Sequence, residues 1–208
     1  MCAIHGYCWQ DKKLIGEMLC KAHHRGPDGQ GTFFNNDISL GHNLLSITDT
    51  PSVSKQPWEH NDLVLVYNGE IYNHMDLRKS LDYNFRTETD TETLAVGLEK
   101  KGIKFIYELD GMFAFACYNK VNKKVWLVRD INGAKPLYYG HHEGRLAFSS
   151  EVKSLLECGF PRKVDKDAFG HFYKQGYVSG PMTLFSGIRK LTPGQIIEYD
   201  TVSNKRTV

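Results

Sequence analysis

No CxxC pair occurs among the five cysteines (Cys2, Cys8, Cys20, Cys117, Cys158) of this 208-residue chain. That spacing argues against a structural zinc site, and the odd, scattered set argues against a disulfide framework. The reading for Cys8, Cys20, Cys117 and Cys158 is reduced, mostly buried thiols of a cytoplasmic protein. No apolar run reaches the roughly 18 residues of a membrane span, so none is expected. No basic stretch leads into an apolar one at the N-terminus, so no secretory signal is expected. Neither sign of charge is in excess: 26 Lys and Arg stand against 24 Asp and Glu, for a formal net charge of +2. The strong basic patch of a nucleic-acid binder is therefore missing. The histidine pairs His23-His24 and His141-His142 lack the i,i+4 spacing of a helical metal site, and no metal is expected.

What is present suits one domain with a substantial core, since 41% of the residues are hydrophobic. "CAIHGYCW" reads as an opening strand. Leu14, Ile15, Met18, Leu19 and Ala22 follow at helical spacing, and "HHRGPDGQG" ends that helix. "GTFFNNDISLGHNLLSI" predicts a hairpin turning at Asn35-Asn36-Asp37. "PSVSKQPW" reads as a loop, and "LVLVYNGEIYN" as a strand running into a polar turn. A short helix carries Leu77 and Leu81. Thr89 and Glu92 have capping-box spacing ahead of a helix with Leu94 and Leu98, which Gly102 can end. "GMFAFACY", "KVWLVRD", "PLYYGH" and "RLAFSSE" predict a meander of short strands. Short helices at "VKSLLE" and "DKDAFGHFYKQG" precede a closing strand in "GIRKLTPGQIIEYD". Segregated strands and helices favour α+β layers over a doubly wound parallel sheet.

Cys2 follows the initiator methionine directly. If Met1 is removed, one residue carries a thiol (pKa ~8.5) and a free α-amine (pKa ~8). Such an amine can take the thiol proton and return it to a leaving amine. The reaction class is attack on a carbonyl, a thioester, then hydrolysis. Oxyanion donors are needed too, and "YNGEIYN" offers the Asn68 side-chain amide and a close backbone approach at Gly69. Asn-Gly taken alone is equally a common hairpin turn signal.

Together, "MCAIHG", "HHRGPDGQG", "GHNLLSITD", "QPW", "YNGEIYNHMDLR", "TETDTETL", "LDGMFAFACYN", "VRDINGAKPLYYG" and "LAFSSEVKSLL" resemble the glutaminase domain of class II glutamine amidotransferases, in its asparagine synthetase branch. The resemblance spans almost the whole chain, read as a single glutaminase domain over 1–208. It implies a four-layer αββα N-terminal nucleophile hydrolase sandwich with two antiparallel sheets. It implies Cys2 as nucleophile and Asn68 and Gly69 as oxyanion hole. For glutamine binding it implies Asn68, Gly69 and Glu70, the backbone of Ser46, Ile47 and Thr48, and Asp90 for the α-ammonium group. Arg25 to Asp28 match the "RGPD" segment, where Arg25 either holds structure or touches substrate. "SKQPW" resembles the loop that closes over glutamine. His42 is given a structural role, Arg129 and Asp130 a structural turn or a face toward a synthetase domain, and Tyr138 and Tyr139 a place in the core or rim. Gly26 and Gly69 are read as positions that need backbone freedom.

Two features depart from the family. Leu44 stands where an arginine normally grips the glutamine α-carboxylate with two charge-assisted hydrogen bonds. Arg25 or Lys55 could substitute. The Gly-rich "SGGxDS"-type ATP loop of a synthetase domain is also missing. The domain itself then needs no cofactor, and ATP and magnesium are expected only for a synthetase domain in cis or in trans. The expected activity is hydrolysis of L-glutamine by Cys2, with ammonia passed to such a domain in asparagine biosynthesis. The alternatives are a non-catalytic scaffold for an ammonia-using synthetase and an amidase for a different amide. An oligomer is compatible with the sequence.

Overall fold

The computed structural model describes residues 1–46 and 55–208. Twelve strands lie in two antiparallel sheets. The first contains β1 (Ala3–Tyr7), β2 (Gly29–Phe34), β3 (Ser39–Leu44), β8 (Tyr138–His142), β9 (Arg145–Ser149) and β10 (Ile188–Lys190), in the order β10-β8-β9-β1-β3-β2. The second contains β4 (Trp58–His60), β5 (Leu63–Ile71), β6 (Gly111–Asn119), β7 (Lys124–Arg129), β11 (Ile196–Asp200) and β12 (Lys205–Thr207), in the order β12-β11-β7-β6-β5-β4.

Period-2 alternation along these strands builds the layers. In β5, Val64 and Val66 face the first sheet and pack with Ile4, Leu40, Ala114, Ala116, Leu127 and Phe148 in an inter-sheet core. Leu63, Leu65 and Tyr67 face the other way, against α2 (His74–Ser80) and α3 (Asp90–Lys101), through Leu77, Leu94 and Leu98. The outer face of the first sheet, with Tyr7 and Ala147, is covered by α1 (Lys12–Lys21) and α4 (Val152–Leu156), through Ile15, Met18 and Leu155. The order helix, sheet, sheet, helix is the αββα sandwich that the sequence motifs imply. Each fully buried Leu, Ile or Phe in it contributes about 1.5–3 kcal/mol.

Local chemistry explains the element ends. The Asp11 carboxylate accepts the Lys13 and Leu14 N–H groups, both at 3.0 Å, and starts α1. The β2–β3 turn forms where expected, with Asn35 Oδ1 accepting from Asp37 and Ile38. Thr89 caps α3 by accepting the Glu92 N–H at 3.3 Å. The reciprocal half of the expected capping box is absent. Glu92 is fully buried and accepts instead from the Arg86 and Thr87 N–H groups and the Thr87 hydroxyl, tying down the preceding loop. Gly102 ends α3 at φ 63°, a conformation that favours glycine.

The closing segment is more divided than its sequence suggests, forming β10 and β11 in place of one strand, and β12 follows it. The three-residue β4 was too short to show a pattern. α5 (Lys166–Gln175) forms as expected, capped by Asp165, and buries only Ala168. All five thiols are free. Cys8, Cys117 and Cys158 are buried as expected, whereas Cys20 is exposed on α1.

Candidate active site

The site lies at one end of the inter-sheet layer, where four strands present side chains of one parity. Ile4 of β1 and Cys8 just beyond its end enter the inter-sheet core, so Cys2 falls on the same face. The same alternation brings in Leu44 from β3, Asn68 from β5 and Met112 just before Ala114 in β6. These four line a cavity of about 130 Å³ together with Met1, Ser46, Gln56, Glu70, Asp90 and Lys135. Cys2, Leu44, Ser46, Asn68, Gly69, Glu70 and Asp90, all predicted from sequence, share this one cavity. Ile47 and Thr48, predicted with them, lie outside the described residues.

Cys2 is held at both ends. Its carbonyl accepts a hydrogen bond from Arg25 Nε at 3.1 Å, and Arg25 Nη1 in turn meets Glu151 at 3.3 Å. Its Sγ accepts the Leu45 N–H at 3.4 Å. Burial pushes the thiol pKa up. The Leu45 N–H and the positive charges of the N-terminus, Lys135 and Arg25 pull it back without cancelling that rise. The α-amine on Met1 is lowered, first by burial and then by Arg25 and Lys135. Arg25 thus supports Cys2 rather than lining the cavity. Lys55 borders a separate groove with Trp58 and Arg86. Neither lines the cavity that holds Cys2.

Asn68 is 2% exposed, and its Nδ2 is buried with no hydrogen-bond partner among the described residues. A donor stranded in this way is costly unless something in the cavity receives it. Gly69 and Gly26 are required by crowding rather than by unusual dihedrals. A Cβ on Gly69 would sit 2.5 Å from the Met112 carbonyl, and one on Gly26 would sit 2.5 Å from the Asn43 backbone. Asp90 opens α3, and its Oδ2 accepts both the Tyr67 hydroxyl at 2.6 Å and the Ile71 N–H at 3.0 Å. Both bonds fall on one oxygen, which leaves Oδ1 for a cationic ligand. Ser46 donates its N–H to Asp28 at 2.8 Å, while its buried hydroxyl has no partner among the described residues. Leu44 is buried and pairs with Gly29 across β2 and β3.

Other residues of the site carry no clear sequence signal. Tyr67 orients Asp90, but in the strand it points away from Asn68, toward the helices. Gln56 is buried and accepts the Tyr67 N–H at 2.6 Å, which ties the described part of the expected closing loop, from Lys55 on, to β5. Its carbonyl passes so close to Gly31 that no room is left for a Cβ there. Lys135 enters from the loop between β7 and β8. Arg129 and Asp130 form the structural turn of that loop, with Asp130 accepting from the Phe113, Asn132, Ala134 and Lys135 N–H groups. His42 lies buried between the sheets and is held neutral, with its pKa lowered to about 3 by burial. Tyr139 belongs to the core.

A family model described as glutamine amidotransferase domain matches residues 1–207. Asparagine synthetase (glutamine-hydrolyzing) 1 of Bacillus subtilis is 35% identical over 188 residues, covering 88% of this chain and 30% of the relative. Asparagine synthetase (glutamine-hydrolyzing) of Sandersonia aurantiaca is 40% identical over 143 residues, covering 67% and 27%. The chain therefore spans less than a third of the length of these relatives. Among solved structures, the glutamine phosphoribosylpyrophosphate amidotransferase of B. subtilis superimposes with a TM-score of 0.71 at 16% identity, over all of this chain and 48% of that one, a likeness of fold. With a match over nearly every residue and the N-terminal nucleophile hydrolase architecture in place, the chain belongs to the class II glutamine amidotransferase domain family.

Proposed function

We propose that this domain hydrolyses L-glutamine to glutamate and ammonia. One observation carries the reading: the unpartnered Asn68 amide and the Cys2 thiol line one cavity. Removal of Met1 frees the Cys2 amine. The amine takes the thiol proton, and the sulfur attacks the side-chain carbonyl of glutamine. Asn68 Nδ2 and the backbone at Gly69 receive the developing oxyanion. The protonated amine then donates to the leaving nitrogen, ammonia departs, and a thioester joins the glutamyl group to Cys2. Water, activated by the same amine, releases glutamate. Asp90 Oδ1 pairs with the substrate α-ammonium group, with Glu70 on the same rim, and the Ser46 hydroxyl donates to its α-carboxylate. Ammonia passes to an asparagine-synthetase-like domain, in cis or in trans, where ATP and magnesium belong.

Leu44 favours a second reading. An apolar, buried side chain at the position of the carboxylate-binding arginine suits an amide whose α-carboxylate is masked. Glutamate release by the processed protein, set against Cys2→Ala and against a panel of amides, separates the two. Release from glutamine that is lost in Cys2→Ala supports the first reading. Cleavage of masked amides only supports the second. No release above the Cys2→Ala background from any amide overturns both and leaves the scaffold.

A further inference from the structure

Lys135 is 8% exposed, yet its ammonium makes no ion pair or side-chain hydrogen bond among the described residues. The ammonium is not among the fully buried unpaired nitrogens; it faces the cavity, where no carboxylate of the described residues pairs with it. The fold holds the Lys135 backbone firmly. The Lys135 N–H donates to Asp130 at 3.3 Å, and its carbonyl accepts from Arg129 Nε at 2.7 Å. Arg129 spends its other nitrogens on the Leu191 and Gly133 carbonyls. The side chain so anchored lines the cavity beside Met1 and Cys2, and both the thiol and the N-terminal amine feel its charge.

Other charges reach the same point from each neighbouring element. Arg25 and Asp28 come from the connection between α1 and β2, with Glu151 bound to Arg25. Tyr67 and Glu70 come from β5, and Asp90 from α3. Arg25 is already committed to the Cys2 carbonyl and Glu151, and Asp28 to the Ser46 N–H. Of the two side-chain cations that act on Cys2, Arg25 and Lys135, Lys135 is the one whose charged group meets neither a carboxylate nor a backbone carbonyl among the described residues.

We propose that Lys135 is a positioning residue that sets the protonation state of Cys2: its ammonium keeps the α-amine exposed by Met1 removal unprotonated and favours negative charge on the sulfur. The inference rests on the hydrolytic reading of Cys2, but its test does not require turnover. A like charge disfavours an ammonium and an opposite charge favours a thiolate, so both effects lower the pH at which Cys2 becomes reactive.

The test is the rate of Cys2 alkylation by iodoacetamide as a function of pH, read on the N-terminal peptide by mass spectrometry. A Cys20→Ser background removes the one exposed competing thiol. Lys135→Met is expected to move the midpoint up by about 0.5–1 pH unit, the effect of one charge acting through an effective dielectric near 20. Lys135→Arg is expected to keep the parental midpoint. The acid limb of kcat/KM for glutamine should move with it, while the rates converge at high pH. Superimposable curves for Lys135→Met and the parent overturn the proposal, as does an equal shift in Lys135→Arg, provided thermal melting shows all three folded. A shifted alkylation curve in a protein that releases no glutamate sinks the glutaminase reading and leaves this one standing.

Discussion

Replacing Asn68 with alanine should move activity and stability independently. A buried polar side chain normally supports the fold through its hydrogen bonds, so its removal unfolds the protein part of the way. Asn68 Nδ2 has no such bond among the described residues. Leaving that N–H buried and unpaired costs about 1–3 kcal/mol in the free protein. Deleting it recovers part of this, and because the side chain borders a cavity, no sealed void is created. Stability should therefore be unchanged or rise by up to ~1–2 kcal/mol. In a chain of this length that corresponds to about 2–4 °C in Tm per kcal/mol. Catalysis should fall about 10²–10³-fold in kcat, the usual loss for one oxyanion donor, with KM little changed because the interaction strengthens only in the transition state. Steady-state glutamate release and calorimetry on the same samples make the comparison. A kcat within tenfold of the parent would refute the oxyanion assignment. A Tm drop of 5 °C or more would show that the amide holds the structure instead.

Three further outcomes follow from named contacts. Leu44→Arg should lower the KM for glutamine by about 10–100-fold, the worth of a charge-assisted pair of about 1.5–3 kcal/mol; an unchanged or raised KM in initial-rate kinetics means that another group already holds the carboxylate. Tyr67→Phe removes the 2.6 Å bond to Asp90 and should raise KM by roughly 5–10-fold while sparing kcat, since it loosens only the group that holds the α-ammonium. His5 is fully buried and held neutral, its pKa lowered by burial from 6.5 to about 4. Its Nε2 donates to Asn43 Oδ1, and its Nδ1 accepts from Ser149, both at 2.9 Å. The folded value lies below the unfolded one, so the unfolded chain binds the proton first. This contribution is whole above about pH 6.5 and is lost toward pH 4, at roughly 1.4 kcal/mol per pH unit. Urea unfolding at pH 7 and pH 4.5 should show a loss that His5→Gln reduces, and an equal loss in the variant would contradict it.

Most of the architecture was legible because strand parity and turn chemistry are local. The alternation in "LVLVYN" alone sorts Val64, Val66 and Asn68 from Leu63, Leu65 and Tyr67. The Asn35 turn formed as expected, because it is closed by a side chain two or three residues from its partners. The capping box was only half right: the Thr89–Glu92 spacing is necessary for it, but the Glu92 carboxylate found stronger partners in the loop from Arg86 to Thr87. The segment from Gly187 to Asp200 divided into two strands because β10 is a short edge piece that exists through pairing with β8, and a third, β12, follows through pairing with β11.

The sequence by itself determined the candidates Cys2, Asn68-Gly69 and Asp90 and the family, since each is carried by residue identity within a short motif; the polar turn expected at Asn68-Gly69 is instead the end of β5, paired with β6. Tertiary structure alone decided that Tyr67 orients Asp90, that Gln56 is pinned to β5, that Arg25 grips the Cys2 carbonyl, and that Lys135 reaches the cavity unpaired. The reason is physical. Hydrogen-bond partners and local fields depend on which backbone passes within about 3 Å in space, and neighbours far apart along the chain leave no periodicity from which that approach could be read.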